Sequence, residues 1–91
     1  MNLDFKKSFP RDLKKHKTNK PLLERVRQVI QDVEDAQNIH GIQNLKKLNA
    51  QGNHYRIRLN NYRLCLIIES NTACFVRFLH RSDVYRHFPK K

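Results

Sequence analysis

The sequence predicts an α+β fold in which two N-terminal helices pack on one face of a small antiparallel sheet. Three observations support it: an apolar stripe of helical period over residues 22–33, a change of the apolar period to two from His54 onward, and turn-forming residues at 60–61 and 70–71. The chain has 91 residues, which suffice for one hydrophobic core, so we expect a single domain over residues 1–91.

The N-terminal part predicts a short strand and a short basic helix. Residues 2–6 alternate weakly between polar and apolar side chains, as a strand does. Ser8 offers an N-cap for the helix, and Phe9 and Leu13 then lie on one of its faces.

The second predicted helix has the strongest pattern in the chain. Apolar residues recur at i, i+1, i+4, i+7, i+8 and i+11 from Leu22 to Val33, which is the spacing of one buried helical face. Pro21 suits the first helical position, and residues 18–19 supply capping side chains just before it. A connector over residues 37–53 follows, in which Leu45 to Leu48 are compatible with one helical turn.

Three strands are predicted after the connector. Basic and apolar residues alternate strictly from His54 to Leu59, and residues 62–69 and 72–79 are rich in β-branched and aromatic side chains. Residues 82–88 are compatible with a final helical turn. Because the helices can cover only one face of such a sheet, we expect its other face to be open.

Positive charge dominates the composition. Lys and Arg total 19 against 8 Asp and Glu, which gives a net charge of +11. The excess lies in residues 1–20 and 46–91, whereas residues 21–45 are slightly acidic. Such charge costs stability unless a polyanion or an acidic partner relieves it, so nucleic acid is the first partner expected and a membrane surface the second.

The composition also excludes several classes of protein. No apolar run approaches the length of a membrane span, and the N-terminal residues lack the apolar segment of a signal peptide. The two cysteines, Cys65 and Cys74, provide neither a disulfide scaffold nor a four-thiolate zinc site, so a reducing cytoplasm is expected. No nucleotide-binding loop or zinc-protease motif is present, and we expect no metal and no cofactor.

The predicted strands place basic side chains on one face. A two-residue turn at 60–61 sets Arg58 opposite Arg63, and like charges opposed in this way are destabilising. In the third strand, a three-residue reversal sets Arg77 opposite Arg63 with Phe78 and Val76 in the core. We prefer this register, because a two- or four-residue reversal would bury an unpaired guanidinium. One surface then collects Arg56, Arg58, Arg63, Arg77 and Arg81.

Each of these arginines alone is typical of a solvated strand face. Together, with no acidic residue interleaved, they predict an anion site, because the planar guanidinium binds phosphate through two hydrogen bonds. His16 and His40 are expected at the surface or partly packed. The segment 80–85 brings an imidazole, a guanidinium and a phenol to the edge of this surface. Phe88 is expected to pack the tail onto the sheet, and for Tyr85 packing and a functional role are equally open.

Four segments stand in a specific order: Leu45-Lys46-Lys47-Leu48, Tyr55-Arg56-Ile57-Arg58-Leu59, Tyr62-Arg63-Leu64 and His80-Arg81-Ser82-Asp83-Val84-Tyr85-Arg86. With Asp12-Leu13-Lys14-Lys15 after the N-terminal strand, they resemble the RelE/ParE superfamily of toxins from bacterial toxin–antitoxin modules. The resemblance covers nearly the whole chain. It implies a β-α-α-β-β-β fold with a short C-terminal helical turn.

For RelE-type members, the resemblance implies a metal-independent endoribonuclease, an mRNA interferase that enters the ribosomal A site and cuts the mRNA. The family's phosphate-binding arginines match Arg63 and Arg81, its C-terminal aromatic residue matches Tyr85, and some relatives use a histidine near His80. The family's basic strand residues, often lysine, match Arg56 and Arg58, and an arginine cannot act as a general base at pH 7. We therefore expect proton transfer from Tyr85 or His80. The expected catalytic residues are Arg58, Arg63, His80, Arg81 and Tyr85, and the expected RNA-binding residues are Arg56, Arg77, Lys46 and Lys47.

Two alternatives remain open. ParE-like members share the fold but inhibit DNA gyrase, and a non-catalytic basic RNA-binding module would bind RNA without cutting it. The resemblance also implies a prokaryotic cytoplasm and an acidic antitoxin partner. The toxin is expected to be a monomer when free and a hetero-oligomer with its antitoxin.

Overall fold

The computed structural model describes residues 1–48 and 52–88. It confirms the α+β fold, with two N-terminal helices, a five-stranded sheet and a short C-terminal helix. The strands and α-helices are β1 (Asn2–Phe5), α1 (Ser8–Lys14), α2 (Lys20–Asp35), β2 (Leu45–Lys47), β3 (His54–Leu59), β4 (Tyr62–Glu69), β5 (Thr72–His80) and α3 (Val84–His87). Short 3-10 turns at Ile39–Gly41 and Arg81–Asp83 precede β2 and α3.

The sheet has the strand order β1-β5-β4-β3-β2. β1 runs parallel to β5, and the other neighbouring strands are antiparallel. The predicted N-terminal strand is therefore confirmed, and it adds one parallel pair to a sheet that was expected to be antiparallel. In the described part of the chain, no helix is long and apolar enough to cross a membrane.

Both predicted N-terminal helices are present, and the cap of the second is confirmed. The Asn19 side chain accepts a hydrogen bond from the Leu22 amide at 3.3 Å, and Pro21 lies in the first turn of α2. The predicted Ser8 cap of α1 is wrong, because the helix already includes Ser8 and the hydroxyl donates to the Val76 carbonyl instead. Ser8 thus ties α1 to the edge of β5.

The main core lies between the helices and one face of the sheet. Its most deeply buried side chains come from both layers and include Phe9, Val26, Val33, Leu64, Leu66 and Phe75. Burying apolar side chains of this size stabilises the fold by about 1.5–3 kcal/mol each.

The helical turn expected at residues 45–48 is wrong. Leu45–Lys47 is strand β2, which pairs with β3 so that Leu45 faces Ile57 and Lys47 faces Tyr55. The outer edge of β3 carries main-chain groups that need partners, and a strand satisfies them while a helical turn does not. Leu45 still packs against the main core from this position.

The expected three-residue reversal before β5 is also wrong. Ser70 and Asn71 form a two-residue reversal with φ of 51° and 59°, and Glu69 pairs with Thr72. An irregularity then shifts the register, because Leu66 pairs with Phe75 whereas Cys65 pairs with Arg77. The β-bulge leaves Val76 as an extra residue in β5.

Without the bulge, the two-residue reversal would place Arg77 opposite Leu64 on the core face. The bulge moves Arg77 to the opposite face of the sheet. Arg77 lies opposite Cys65, and the residue opposite Arg63 is Leu79. Phe78 lies in the main core as expected, but Val76 packs in a second cluster on the other face. The extra residue thus shifts the register of β5 and keeps Arg77 off the core face, which the longer reversal was expected to do.

The sheet face away from the helices is only partly open. Val84 and Phe88 pack there against Cys65 and Leu79 and form a second apolar cluster. The prediction that Phe88 packs the tail onto the sheet is confirmed, since its side chain is 2% exposed. The C-terminal segment therefore covers part of the face that was expected to be free.

Candidate nucleic-acid interface

The β3–β4 hairpin brings two arginines together as predicted. Arg58 lies directly opposite Arg63, and the reversal between them has Asn60 at φ 55°. Arg56 lies two residues before Arg58 and shares its face, and Lys46 of β2 pairs with Arg56. The hairpin and β2 thus align four positive charges away from the main core.

Arg81 joins this set from the end of β5. Its main-chain amide donates to the Asn61 carbonyl at 2.8 Å, which fixes it beside the tip of the hairpin. Burial lowers the pKa of Arg63, and the charges of Arg56, Arg58 and Arg81 lower it further. These four side chains, Arg56, Arg58, Arg63 and Arg81, are called the arginine surface below.

No ion pair neutralises the arginine surface within residues 1–48 and 52–88, where the pairs are Arg27–Glu24 and Arg77–Asp12. Main-chain carbonyls orient two of its members. Arg63 Nη1 donates to the Asn60 and Tyr62 carbonyls at 3.0 and 2.9 Å, and Arg56 Nη1 donates to Asn44 at 3.0 Å. Neutral carbonyls position these guanidiniums without cancelling their charge, and the remaining N–H groups are free to bind an anion.

Arg77 does not belong to this surface. Its Nε lies 2.7 Å from Asp12 Oδ2 and its Nη2 lies 3.3 Å from Oδ1, so its charge is neutralised. Asp12 is buried and also accepts the Phe78 amide at 3.0 Å. The expectation of five arginines without an acidic neighbour is therefore wrong for Arg77, because Asp12 reaches it from α1 across 65 residues of sequence.

The two lysines of β2 lie on different faces. Lys46 pairs with Arg56 on the side of the arginine surface, whereas Lys47 pairs with Tyr55 on the side of the helices. Strand alternation places consecutive residues on opposite faces, so only Lys46 can contact the same ligand as Arg56. Lys47 is exposed but does not extend the arginine surface.

His80 is held at the end of β5 by Ser82. The Ser82 amide donates to His80 Nδ1 at 3.2 Å, and the Ser82 hydroxyl lies 2.8 Å from the same nitrogen. An amide can only donate, so Nδ1 is unprotonated and the neutral ring carries its hydrogen on Nε2. The ring also stands edge-on to Tyr62, with centroids 5.6 Å apart. Nε2–H is therefore a hydrogen-bond donor, and the nitrogen that can accept a proton, Nδ1, is occupied by Ser82.

Tyr85 is exposed on α3. Its side chain is 77% exposed, whereas Val84 beside it is buried in the second cluster. In the described residues no hydrogen bond holds the Tyr85 hydroxyl. The packing alternative is thus wrong for Tyr85, and the phenol is accessible to a ligand.

A groove that sequence reasoning missed leads away from the arginine surface. It runs between α2 and the β3–β4 hairpin, and its lining includes Arg58, Arg63 and Arg81 together with Asp32 of α2 and the buried Leu59. The sequence carries no local signal for the groove, because its two walls are separated by more than twenty residues and only the packing of α2 brings them together.

Comparison with known proteins places the chain in a family. A family model described as the ParE toxin of the type II toxin–antitoxin system, parDE, matches residues 3–85. Toxin RelE3 of Methanocaldococcus jannaschii is 31% identical over 90 residues, which are 98% of this chain and 100% of that protein.

Solved structures agree with this placement. The RelB–RelE antitoxin–toxin complex from Methanococcus jannaschii matches with a TM-score of 0.73 and 30% identity, over 94% of this chain and 99% of that one. The E. coli DinJ–YafQ complex matches in fold, with a TM-score of 0.65 at 9% identity over 92% and 97% of the chains. The chain therefore belongs to the RelE/ParE family of toxins of type II toxin–antitoxin systems and is a RelE-like toxin.

Proposed function

We propose that the protein is a metal-independent, ribosome-dependent endoribonuclease that cleaves mRNA and thereby inhibits translation. The observation that carries this proposal is the arginine surface, on which four guanidiniums lie together with no carboxylate partner among the described residues. A surface of this kind suits a phosphodiester whose charge increases in the transition state.

The chemistry needs little more than positioning and proton transfer. The 2′-oxygen of the RNA attacks the adjacent phosphorus, the bond from phosphorus to the 5′-oxygen breaks, and the products are a 2′,3′-cyclic phosphate and a 5′-hydroxyl. Arg63 and Arg81 would hold the scissile phosphate, and Arg56 and Arg58 would neutralise the flanking charge. The 2′-hydroxyl loses a proton in this step and the leaving oxygen gains one.

His80 and Tyr85 are the candidates for these proton transfers. The Ser82 amide occupies Nδ1, so His80 would donate a hydrogen bond to the phosphate through Nε2–H and would take up a proton only once Nδ1 is released from Ser82. Tyr85 is exposed, so its phenol would act once RNA lies against α3. The arginines cannot take the role of base because the guanidinium stays protonated.

Expression of the wild type beside Arg81→Ala, with transcript 5′ ends mapped in translating cells, tests the proposal. We expect in-frame cuts within codons for the wild type and their loss in the variant. The upstream fragments should end in a 2′,3′-cyclic phosphate, and a 3′-hydroxyl there would contradict the mechanism.

Inhibition of DNA gyrase is the second candidate function, and the match to the ParE family model favours it. It predicts growth arrest with intact transcripts and no effect of Arg63→Ala in a gyrase cleavage-complex assay. A non-catalytic RNA-binding module predicts salt-sensitive RNA binding with neither effect.

The partner we propose is an acidic antitoxin that covers the arginine surface. Relatives have been crystallised in complexes with RelB and DinJ. A net charge of +11 favours an acidic, partly disordered chain that folds on binding. Both proteins would act in a prokaryotic cytoplasm.

A further inference from the structure

The groove between α2 and the β3–β4 hairpin is large enough to hold part of an RNA chain. Its volume is about 1070 Å³, compared with roughly 300–1,000 Å³ for the sites of small molecules. One wall comes from α2, and the other comes from the hairpin and carries Arg58 and Arg63. Arg81 lines the groove as well, so it opens onto the arginine surface. It is called the α2 groove below.

A short segment of the chain joins the two walls of the α2 groove. Gly41 packs against Ala36 at the end of α2. Three residues later, the Asn44 carbonyl accepts a hydrogen bond from the Arg58 amide at 3.2 Å. Packing and hydrogen bonding therefore hold the walls together, and the groove is formed before any ligand binds.

One face of α2 lines the groove, and its side chains differ in character. Arg25, Val29, Asp32 and Ala36 recur at i, i+4, i+7 and i+11, which is the spacing of one helical face. Val29 is half-buried and offers an apolar surface, whereas Asp32 is exposed. An apolar surface and a carboxylate thus lie about one helical turn apart on the same wall.

Asp32 keeps most of its capacity to accept hydrogen bonds. Its Oδ1 accepts from Gln28 Nε2 at 2.9 Å, and a carboxylate has about four lone-pair sites. The ion pairs found in residues 1–48 and 52–88 do not include Asp32, so no arginine of the groove neutralises it there. A carboxylate beside the arginine surface weakens the binding of a polyanion, so a general role in RNA affinity does not account for it.

The nucleobase is the part of an RNA chain that fits this wall. Phosphates are attracted to the arginine surface and repelled by Asp32, so a bound chain would place its phosphate on the arginines and a base against α2. The flat face of a base can pack on Val29, and its edge carries N–H groups that a carboxylate accepts. Recognition of single-stranded RNA commonly uses base faces and Watson–Crick edges in this way.

A carboxylate matches guanine better than it matches the other three bases. The Watson–Crick edge of guanine presents two neighbouring donors, N1–H and the 2-amino group. Adenine and cytosine present one amino group beside a ring nitrogen that is itself an acceptor, and uracil presents one N–H between two carbonyls. The two oxygens of a carboxylate therefore accept two hydrogen bonds from guanine and face a repelling lone pair in each of the others.

We propose that the α2 groove binds a nucleobase next to the scissile phosphate and that Asp32 selects guanine at this position. The inference rests on the proposed function and adds a specificity-determining residue to it. Asp32 contacts the base and not the reacting atoms, so it decides which RNA binds while Arg63 and Arg81 hold the phosphate.

Binding of 2′-deoxy-substituted oligouridylates, which cannot be cleaved, tests the proposal. Each oligonucleotide carries a single guanosine, inosine or adenosine, and affinities are measured for the wild type, Asp32→Asn and Glu34→Gln. Glu34 is the matched control, because it carries the same charge on α2 and accepts a hydrogen bond from Gln31 but does not line the groove.

For the wild type we expect guanosine to bind about tenfold more tightly than inosine or adenosine. Inosine lacks the 2-amino group, so this comparison removes one hydrogen bond without changing the protein. Asp32→Asn replaces one acceptor by a donor, which matches adenine, so the preference should change from guanosine to adenosine. Glu34→Gln should keep the preference of the wild type.

Three results would overturn the proposal: equal affinity of the wild type for guanosine and inosine, a guanosine preference that survives in Asp32→Asn, or an equal loss of that preference in Glu34→Gln. A uniform rise in affinity for all three oligonucleotides in Asp32→Asn would show that Asp32 merely repels RNA, which would also overturn it. Circular dichroism and thermal midpoints establish that both variants fold.

Cleavage by the wild type on programmed ribosomes, with mRNAs that differ in one codon, is scored separately. Guanosine-selective binding without cleavage would contradict the proposed function and leave base selection by Asp32 in place. Cleavage without any preference in binding would contradict base selection and leave the proposed function in place.

Discussion

Individual residues of the arginine surface are placed where they reduce stability. Arg63 is partly buried, stands opposite Arg58, and has its pKa lowered by that burial and by three neighbouring charges. Hydrogen-bond donors that are held in place without a counter-charge stabilise an anionic transition state. When no anion is bound, the same donors destabilise the fold. A substitution that removes the charge of Arg63 should therefore raise the stability of the fold and lower the activity.

Arg63→Gln tests that separation. We expect a gain of about 0.2–1 kcal/mol in the free energy of unfolding at low salt, because the opposed charges are relieved. Cleavage should fall about 100-fold or more, as for other losses of a transition-state hydrogen-bond donor. Urea unfolding and a cleavage assay on programmed ribosomes measure the two effects, and a loss of stability would show that Arg63 is mainly structural.

Cys65 gives the stability of the fold a dependence on alkaline pH. Burial raises the pKa of its thiol to about 12 from an ordinary value of 9.0. Between these values the unfolded chain releases a proton that the folded chain retains, so stability falls as pH rises above about 9, by up to about 1.4 kcal/mol per pH unit.

Urea unfolding of the wild type and Cys65→Ala between about pH 7.5 and 10.5 isolates this contribution. We expect the variant to be less stable at pH 7.5, because it loses packing, and to lose less of its stability as the pH rises. Parallel pH profiles would exclude the thiol as the source.

At the scale of elements, one ion pair joins α1 to β5. Asp12 is almost fully buried and binds both the Arg77 side chain and the Phe78 amide. Asp12→Asn keeps an oxygen for the amide but removes the charge, and we expect a loss of about 1.5–3 kcal/mol in the free energy of unfolding. Urea unfolding measures it, and Asp12→Asn/Arg77→Gln should lose less than the sum of the single variants. Strict additivity would show that the pair is not coupled.

The β4–β5 reversal strains its first residue. Ser70 has φ of 51°, a left-handed conformation that asparagine and glycine tolerate better than serine. Ser70→Gly should raise the free energy of unfolding by about 0.5–1 kcal/mol. Asn71→Gly in the same turn is the matched control, and we expect it to stabilise the fold less than Ser70→Gly does. The thermal midpoints of the two variants measure this difference. A gain at Asn71 that equals or exceeds the one at Ser70 would contradict this account.

The elements also show what the sequence can predict. The β3–β4 hairpin follows from local signals, because strict alternation and a two-asparagine turn set the register of Arg58 and Arg63. The β-bulge at Val76 has no such signal, and β2 is too short at three residues to show a period. The pairing of Arg77 with Asp12 joins residues 65 apart in sequence, which no local pattern encodes.

At the scale of the whole molecule, a net charge of +11 opposes compaction. We expect the free energy of unfolding to rise when salt increases from about 0.02 to 0.3 M, because screening acts over about 10 Å at 0.1 M. Chemical unfolding in urea, which is uncharged, measures this rise. Arg63→Gln should show a weaker salt dependence than the wild type, and a fall in stability with salt would mean that attractive pairs dominate.

The parallel pairing of β1 with β5 has a consequence for synthesis. Residues 2–5 pair with residues 72–75, so β1 acquires its neighbouring strand only after about 70 further residues have been translated. Contacts this distant in sequence slow folding, because the intervening chain loses conformational entropy before the pairing stabilises the structure. The nascent polypeptide would therefore lack its completed sheet until β5 has been made. During that interval the β3–β4 hairpin has already been made but still lacks its neighbour β5.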